Sequence, residues 1–159
     1  MALRASAQDV ASGFSRTNMT QQIITTHSEA ETSQAGRDLA SGLGAGSVVL
    51  LFGDLGAGKT AFVRGLAEGL GVSPDDVSSP TFTIMQEYRG GRVTLFHVDL
   101  YRLEDPREIE DLGLSEIAGE GILVIEWAER LPSAPGECVR VRLTHADAGG
   151  DARHITIYN

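Results

Sequence analysis

Val48-Val49-Leu50-Leu51-Phe52 runs directly into Gly53-Asp54-Leu55-Gly56-Ala57-Gly58-Lys59-Thr60, and this junction decides how the chain folds. A short, continuous apolar run suits a strand buried on both faces, as in a parallel sheet. The residues after it satisfy G-x-x-x-x-G-K-[ST] at every fixed position. Glycines there let successive backbone N–H groups turn inward and form an anion-binding nest. A helix starting at Lys59 adds the positive end of its dipole. Its apolar face is Phe62, Leu66 and Leu70, with Gly71 placed as the C-terminal cap. Lys59 is placed to reach the β- and γ-phosphates, and the Thr60 hydroxyl to ligate Mg²⁺. Gly53–Thr60 is therefore read as a phosphate loop, with each of its residues a nucleotide-binding candidate.

Working outward, Ser28 and Glu31 have capping-box spacing and open a helix expected over about residues 29–42, ended by the glycines from Gly42 to Gly46. After the loop helix, residues 72–80 read as a connection and Thr81–Tyr88 as a strand. Gly90-Gly91 turns the chain into a second strand, Val93–Asp99, so the pair reads as an antiparallel hairpin. Asp105-Pro106 opens a short helix. Ile122–Ile125 is another buried-type strand, closed by Glu126-Trp127. Cys138–Leu143 and Ile155–Tyr158 flank a polar loop and read as a C-terminal hairpin, with Arg140 and Arg142 on its outer face. The expected fold is α/β: a single domain of the phosphate-loop NTPase kind, with a partly parallel central sheet, antiparallel hairpin elements and flanking helices. Residues 1–27 read as a disordered or extended N-terminal segment, with Gln22–Thr26 a candidate edge strand, and 28–159 as the ATPase domain.

Length and composition fit this picture. The 159 residues suggest one domain, and the 42% hydrophobic fraction suits an ordinary core. No apolar stretch approaches the ~18–20 residues that span a membrane. A single cysteine, Cys138, excludes an intrachain disulfide framework and suits a reducing cytoplasm. The net charge of −9 argues against a protein that grips nucleic acid alone. Lys59 is the only lysine beside 12 arginines, and it sits where a compact ammonium is chemically distinct.

A phosphate loop needs a metal-side carboxylate, commonly at the end of a buried strand. Glu126 and Asp99 both end strands. Glu126 is favoured near Mg²⁺, directly or through water, and Asp99 as a metal-side or water-orienting group. Ser79-Pro80-Thr81-Phe82-Thr83 lies where nucleotide switches carry a Thr that feels the γ-phosphate. Thr81 is the first candidate there and Thr83 the second. His97 shares a strand face with Asp99 and reads as a hydrogen-bonded structural histidine. Arg102, Arg107 and Arg130 read by default as scattered surface arginines, with phosphate or acidic-partner contact the alternative, and Trp127 is placed either over the cleft or under the sheet. An Asn-Lys-x-Asp guanine reader is impossible when the only lysine is in the loop, so adenine is the expected base.

In order and spacing, the phosphate loop, Ser79–Thr83, His97-Val98-Asp99-Leu100-Tyr101-Arg102-Leu103 and Ile125-Glu126-Trp127 resemble the TsaE (YjeE) family over roughly residues 28–145. The resemblance implies a bacterial Mg²⁺-dependent ATPase that would help form N6-threonylcarbamoyladenosine at position 37 of ANN-decoding tRNAs, with TsaD-like and TsaB-like proteins. With no residue clearly an in-cis arginine finger, turnover is expected to be slow alone and raised by partners. The net charge of −9 makes tRNA contact through those partners the expectation. The resemblance also implies Thr60 and Glu126 as magnesium ligands, matches Asp99 and Trp127 to family motifs, and makes Thr32 an adenine-side contact. ATP and Mg²⁺ are the implied cofactors. A small-molecule kinase is the alternative.

Overall fold

In the computed structural model, which describes residues 20–54, 56–146 and 150–159, seven strands form one mixed sheet. In chain order they are β1 (Gln21–Thr26), β2 (Val48–Phe52), β3 (Met85–Tyr88), β4 (Leu95–Asp99), β5 (Ile122–Glu126), β6 (Val139–His145) and β7 (Arg153–Tyr158). The helices are α1 (Glu29–Ala40), α2 (Lys59–Gly69), α3 (Pro106–Glu110) and α4 (Leu114–Ala118). The spatial order β1-β7-β6-β2-β5-β4-β3 places the parallel strands β6, β2, β5 and β4 at the centre. Antiparallel β3 closes one side, and β7 with β1 the other.

Strand alternation explains the apolar run at Val48–Phe52. Val49 and Leu51 pack with residues of α1 and α2, whereas Val48 and Leu50 pack with residues of α3 and α4. A strand covered on both faces needs apolar residues at every position, and β5 shows the same division. Helices α1 and α2 cross with backbones nearly touching: a Cβ on Gly65 would lie 1.6 Å from Ser33 O, and one on Gly36 2.1 Å from Phe62 O. This packing sets the α2 N-terminus, and Lys59 with it, against the end of β2.

Two expectations change, and one helix is added. The candidate edge strand Gln22–Thr26 is present as β1 at the sheet edge, but the boundary placed at residue 28 falls inside the folded body, because β1 pairs with β7 along its whole length and the Asn159 amide donates to Thr20 O at 3.0 Å. Residues 1–19 lie outside the described residues. The strand expected from Thr81 begins only at Met85, since Thr81–Thr83 form a turn closed by Ile84 N–H donating to Pro80 O at 2.6 Å. Ile84 there takes φ 70°, a rare conformation for a β-branched residue. Helix α4, which Gly113 opens at φ 69°, was not anticipated from the sequence. The Asp105 cap is as expected, its side chain accepting from Arg107 N–H at 2.9 Å.

Candidate functional site

Strands β2, β4 and β5 run parallel and end at one edge of the sheet, and crevices for ligands in α/β sheets open outside such carboxyl ends. There β2 releases the chain into Gly53–Thr60. Gly56 and Gly58 take φ 80° and 100°, the left-handed region that turns N–H groups inward. Gly53 presses on β6, where a Cβ would lie 2.5 Å from Leu143 O, and its amide donates to Glu129 Oε2 at 3.0 Å. Ala57 is buried beneath the loop and Asp54 is exposed. Leu55 lies outside the described residues.

Lys59 opens α2 only 5% exposed. Its Nζ donates to Gly53 O, lies 3.4 Å from Asp54 O and sits 3.7 Å over the Trp127 ring. Burial pushes the ammonium below the ordinary lysine range, while Glu129, Glu126, Asp99 and Asp54 pull it upward. A cation held among anions in a half-dry site interacts strongly with an incoming polyanion.

Asp99 and Glu126 are register partners on β4 and β5, and each is 2% exposed. Buried carboxylates need partners, and these two have different ones. Asp99 Oδ2 accepts from the hydroxyls of Ser79 at 2.9 Å and Thr81 at 3.0 Å, and Oδ1 accepts from Tyr101 N–H at 2.8 Å. Asp99 thus organises the 79–81 loop. Glu126 Oε2 lies 2.5 Å from His97 Nε2. The expected structural histidine is therefore hydrogen-bonded directly to a predicted site residue.

A cleft of about 840 Å³ joins these elements. It brings Thr32, Lys59, Thr60, Thr81, Asp99 and Glu126 together, with Gly56, Gly58 and the half-buried Trp127 also on its wall. Trp127 takes φ 60°, packs 5.0 Å from Tyr101 and lines the cleft, while its half-buried ring also packs against the apolar cluster on the α3–α4 side of the sheet. Thr83 is exposed and away from the cleft.

Arg102, Arg107 and Arg130 do not line the cleft and sit as scattered arginines, Arg102 and Arg107 exposed and Arg130 half-buried. Arg102 covers the Phe82 ring at 4.9 Å, Arg107 pairs with Asp105 at 3.1 Å, and Arg130 lies 5.9 Å from the Tyr101 ring. The cleft cations that the sequence reading missed are Arg64 and Arg153. Arg64 had a signal, since it follows Thr60 by four residues and shares its helix face. Arg153 had none: it starts β7 and reaches back to donate to Gly56 O at 3.1 Å.

Among the described residues, no group of three His, Cys, Asp or Glu side chains could hold a metal by itself. Thr60 and Glu126 instead offer hard oxygen donors on one wall of the cleft. That set fits Mg²⁺, which commonly takes one or two protein oxygens and completes its shell with phosphate and water.

The sequence profile described as "Threonylcarbamoyl adenosine biosynthesis protein TsaE" matches residues 26–155. A Nostoc sp. protein named tRNA threonylcarbamoyladenosine biosynthesis protein TsaE is 49% identical over 127 residues, covering 76% of each chain. The Bacillus subtilis protein of that name is 49% identical over 116 residues, covering 70% of this chain and 68% of its own. The crystal structure of Bacillus subtilis YdiB superposes with a TM-score of 0.69 at 35% identity, covering 90% of this chain and 88% of that one.

Proposed function

The chain belongs to the TsaE family of threonylcarbamoyl adenosine biosynthesis proteins, and from that premise we propose that it binds and hydrolyses ATP in its cleft to support tRNA threonylcarbamoylation. The observation that carries the reading is the register pair Asp99–Glu126 lining the same cleft as Lys59 and Thr60. Phosphoryl transfer needs little covalent help from protein; it needs positioning and compensation of charge.

Each residue has a distinct part. Inward N–H groups around Gly56 and Gly58, at the α2 N-terminus, cradle the phosphates. Lys59 places its ammonium on the β- and γ-phosphates. Thr60 and Glu126 would hold Mg²⁺, which would supply compensating positive charge beside the phosphates. Asp99 keeps Ser79 and Thr81 in place, so Thr81 lies where the γ-phosphate is felt. Thr32, whose methyl lies against Gly58 and whose hydroxyl bonds Thr26 Oγ1 at 2.8 Å, is the adenine-side contact that the family resemblance implies. TsaB-like and TsaD-like proteins are the expected partners in forming N6-threonylcarbamoyladenosine, and tRNA is met through them.

The deciding experiment is depletion of the protein followed by mass spectrometry of tRNA nucleosides, with complementation by wild type and by Lys59→Ala. Threonylcarbamoyladenosine should fall on depletion and recover only with wild type. An unchanged level on depletion removes the reading. ATP turnover without any small-molecule acceptor separates it from a kinase.

A further inference from the structure

We propose that His97 is the positioning residue for Glu126 and, through Tyr88, ties that carboxylate to the 78–81 loop, a role that rests on the reading of Glu126 at the metal. His97 is completely buried on β4, one pleat back from Asp99 and diagonal to Glu126. An ionised carboxylate only accepts hydrogen bonds, so the 2.5 Å contact puts a hydrogen on Nε2, aimed at Oε2. Oε1 takes no hydrogen bond among the described residues, and Glu126 lines the cleft. One oxygen is therefore anchored and the other is presented.

The other ring nitrogen continues the chain. His97 Nδ1 lies 3.3 Å from the Tyr88 hydroxyl. That hydroxyl is 2.7 Å from Gln86 Oε1 and 3.2 Å from Ser78 O, and it accepts from Ser78 N–H at 3.4 Å. Ser78 precedes Ser79, whose hydroxyl holds Asp99. The two acids are thus joined twice, by the β4–β5 ladder and by a side-chain path through the loop. A loop movement that releases Asp99 is then transmitted to Glu126. Packing alone would be met by an apolar residue, as at the neighbouring Phe96 and Val98.

The test uses the full chain with His97→Ala, His97→Gln, His97→Asn and Glu126→Gln. The readouts are single-turnover ATP hydrolysis, calorimetric ATP affinity without Mg²⁺, and hydrogen–deuterium exchange over residues 77–82 in the protein alone. Loss of a residue that orients a metal ligand commonly costs 10–100-fold, so His97→Ala should slow hydrolysis roughly tenfold or more. Mg²⁺-free ATP affinity should stay within about twofold, because phosphate contacts are untouched. The two amides divide the role. Gln places its nitrogen near Nε2 and should recover most of the rate. Asn, turned so that its carbonyl oxygen lies near Nδ1 and accepts from the Tyr88 hydroxyl, should keep the loop's slow exchange while remaining slow in hydrolysis. If His97→Ala fails to fold, the Gln–Asn contrast carries the test. On top of Glu126→Gln, His97→Ala should add less than about a twofold loss.

Wild-type hydrolysis by His97→Asn, or a full additional loss on top of Glu126→Gln, overturns the positioning role. Normal hydrolysis by Glu126→Gln removes the functional reading beneath it, so the two failures are told apart.

Discussion

Lys59 is buried near several carboxylates, whose field offsets only part of its desolvation cost, burial being the larger effect. An incoming triphosphate makes that cation essential. Lys59→Ala should weaken ATP binding by about 3 kcal/mol, roughly 100-fold in Kd, the upper range for a hydrogen bond to a charged group. Calorimetry checks this, and wild-type affinity in the variant would refute the site. Glu126→Gln keeps the shape of the side chain and removes a negative charge at the metal. ATP affinity should hold while single-turnover hydrolysis falls; if Asp99→Asn is inactive and Glu126→Gln is normal, the two acids exchange roles. Trp127 offers an optical check, since it is the only tryptophan and lies under the Lys59 ammonium. Drawing Lys59 toward phosphate alters the field at the indole. Emission should therefore change on adding ATP and Mg²⁺, with a midpoint equal to the calorimetric Kd, and Lys59→Ala should lose the signal. Silence at saturating nucleotide would take Trp127 out of the site.

At the scale of elements, the site depends on how closely α1 and α2 approach. A Cβ at Gly65 would enter the backbone of Ser33, which no rotamer change relieves. Gly65→Ala should therefore cost about 2–3 kcal/mol, the range for overpacking a tight core, despite alanine's better helix propensity. Urea unfolding checks it, and a midpoint at or above wild type would show that the helices separate without strain. The same elements show what sequence can reveal. Val48–Phe52 and Ile122–Glu126 are legible because burial on both faces demands unbroken apolar runs, and Gly53–Thr60 because phosphate geometry dictates residue types at fixed spacing. Local propensity misleads at Thr81–Thr83, where β-branched residues suggest a strand. There the hydroxyl bonds to Asp99 and the Ile84 turn win over the ladder. Helix α4 is too short to show a period. In the site, Lys59, Thr60, Asp99 and Glu126 announce themselves by motif or strand end. Arg153 reaches Gly56 only because the sheet order brings β7 near the loop, and the His97–Glu126 bond depends on register between strands 29 residues apart. Pairing partners of that kind are set by tertiary structure and leave no local pattern.

For the whole molecule, charge decides how an RNA is met. The chain carries −9 overall, and its cleft is rimmed by acids as well as by Arg64 and Arg153. Net charge steers a polyanion at long range, but at physiological ionic strength the Debye length is only about 8 Å, so repulsion weakens and local patches count. One such patch exists on the described surface: Arg140 and Arg142 project from the same side of β6, and Arg142 covers the Phe52 ring at 5.3 Å. Two cations release few counterions. A complex neutralising two phosphates would lose affinity with salt only about as the square of its concentration, far from the steep dependence of a protein built to hold nucleic acid. The isolated chain should therefore give no tRNA gel shift at micromolar protein and about physiological salt, and partner proteins should be needed to form a ternary complex. If tight, salt-sensitive binding appears with the chain alone, contact through partners is wrong. Arg140→Ala with Arg142→Ala then locates the error: abolition of the shift places the RNA on β6, and persistence places it at the cleft, where ATP should compete with it.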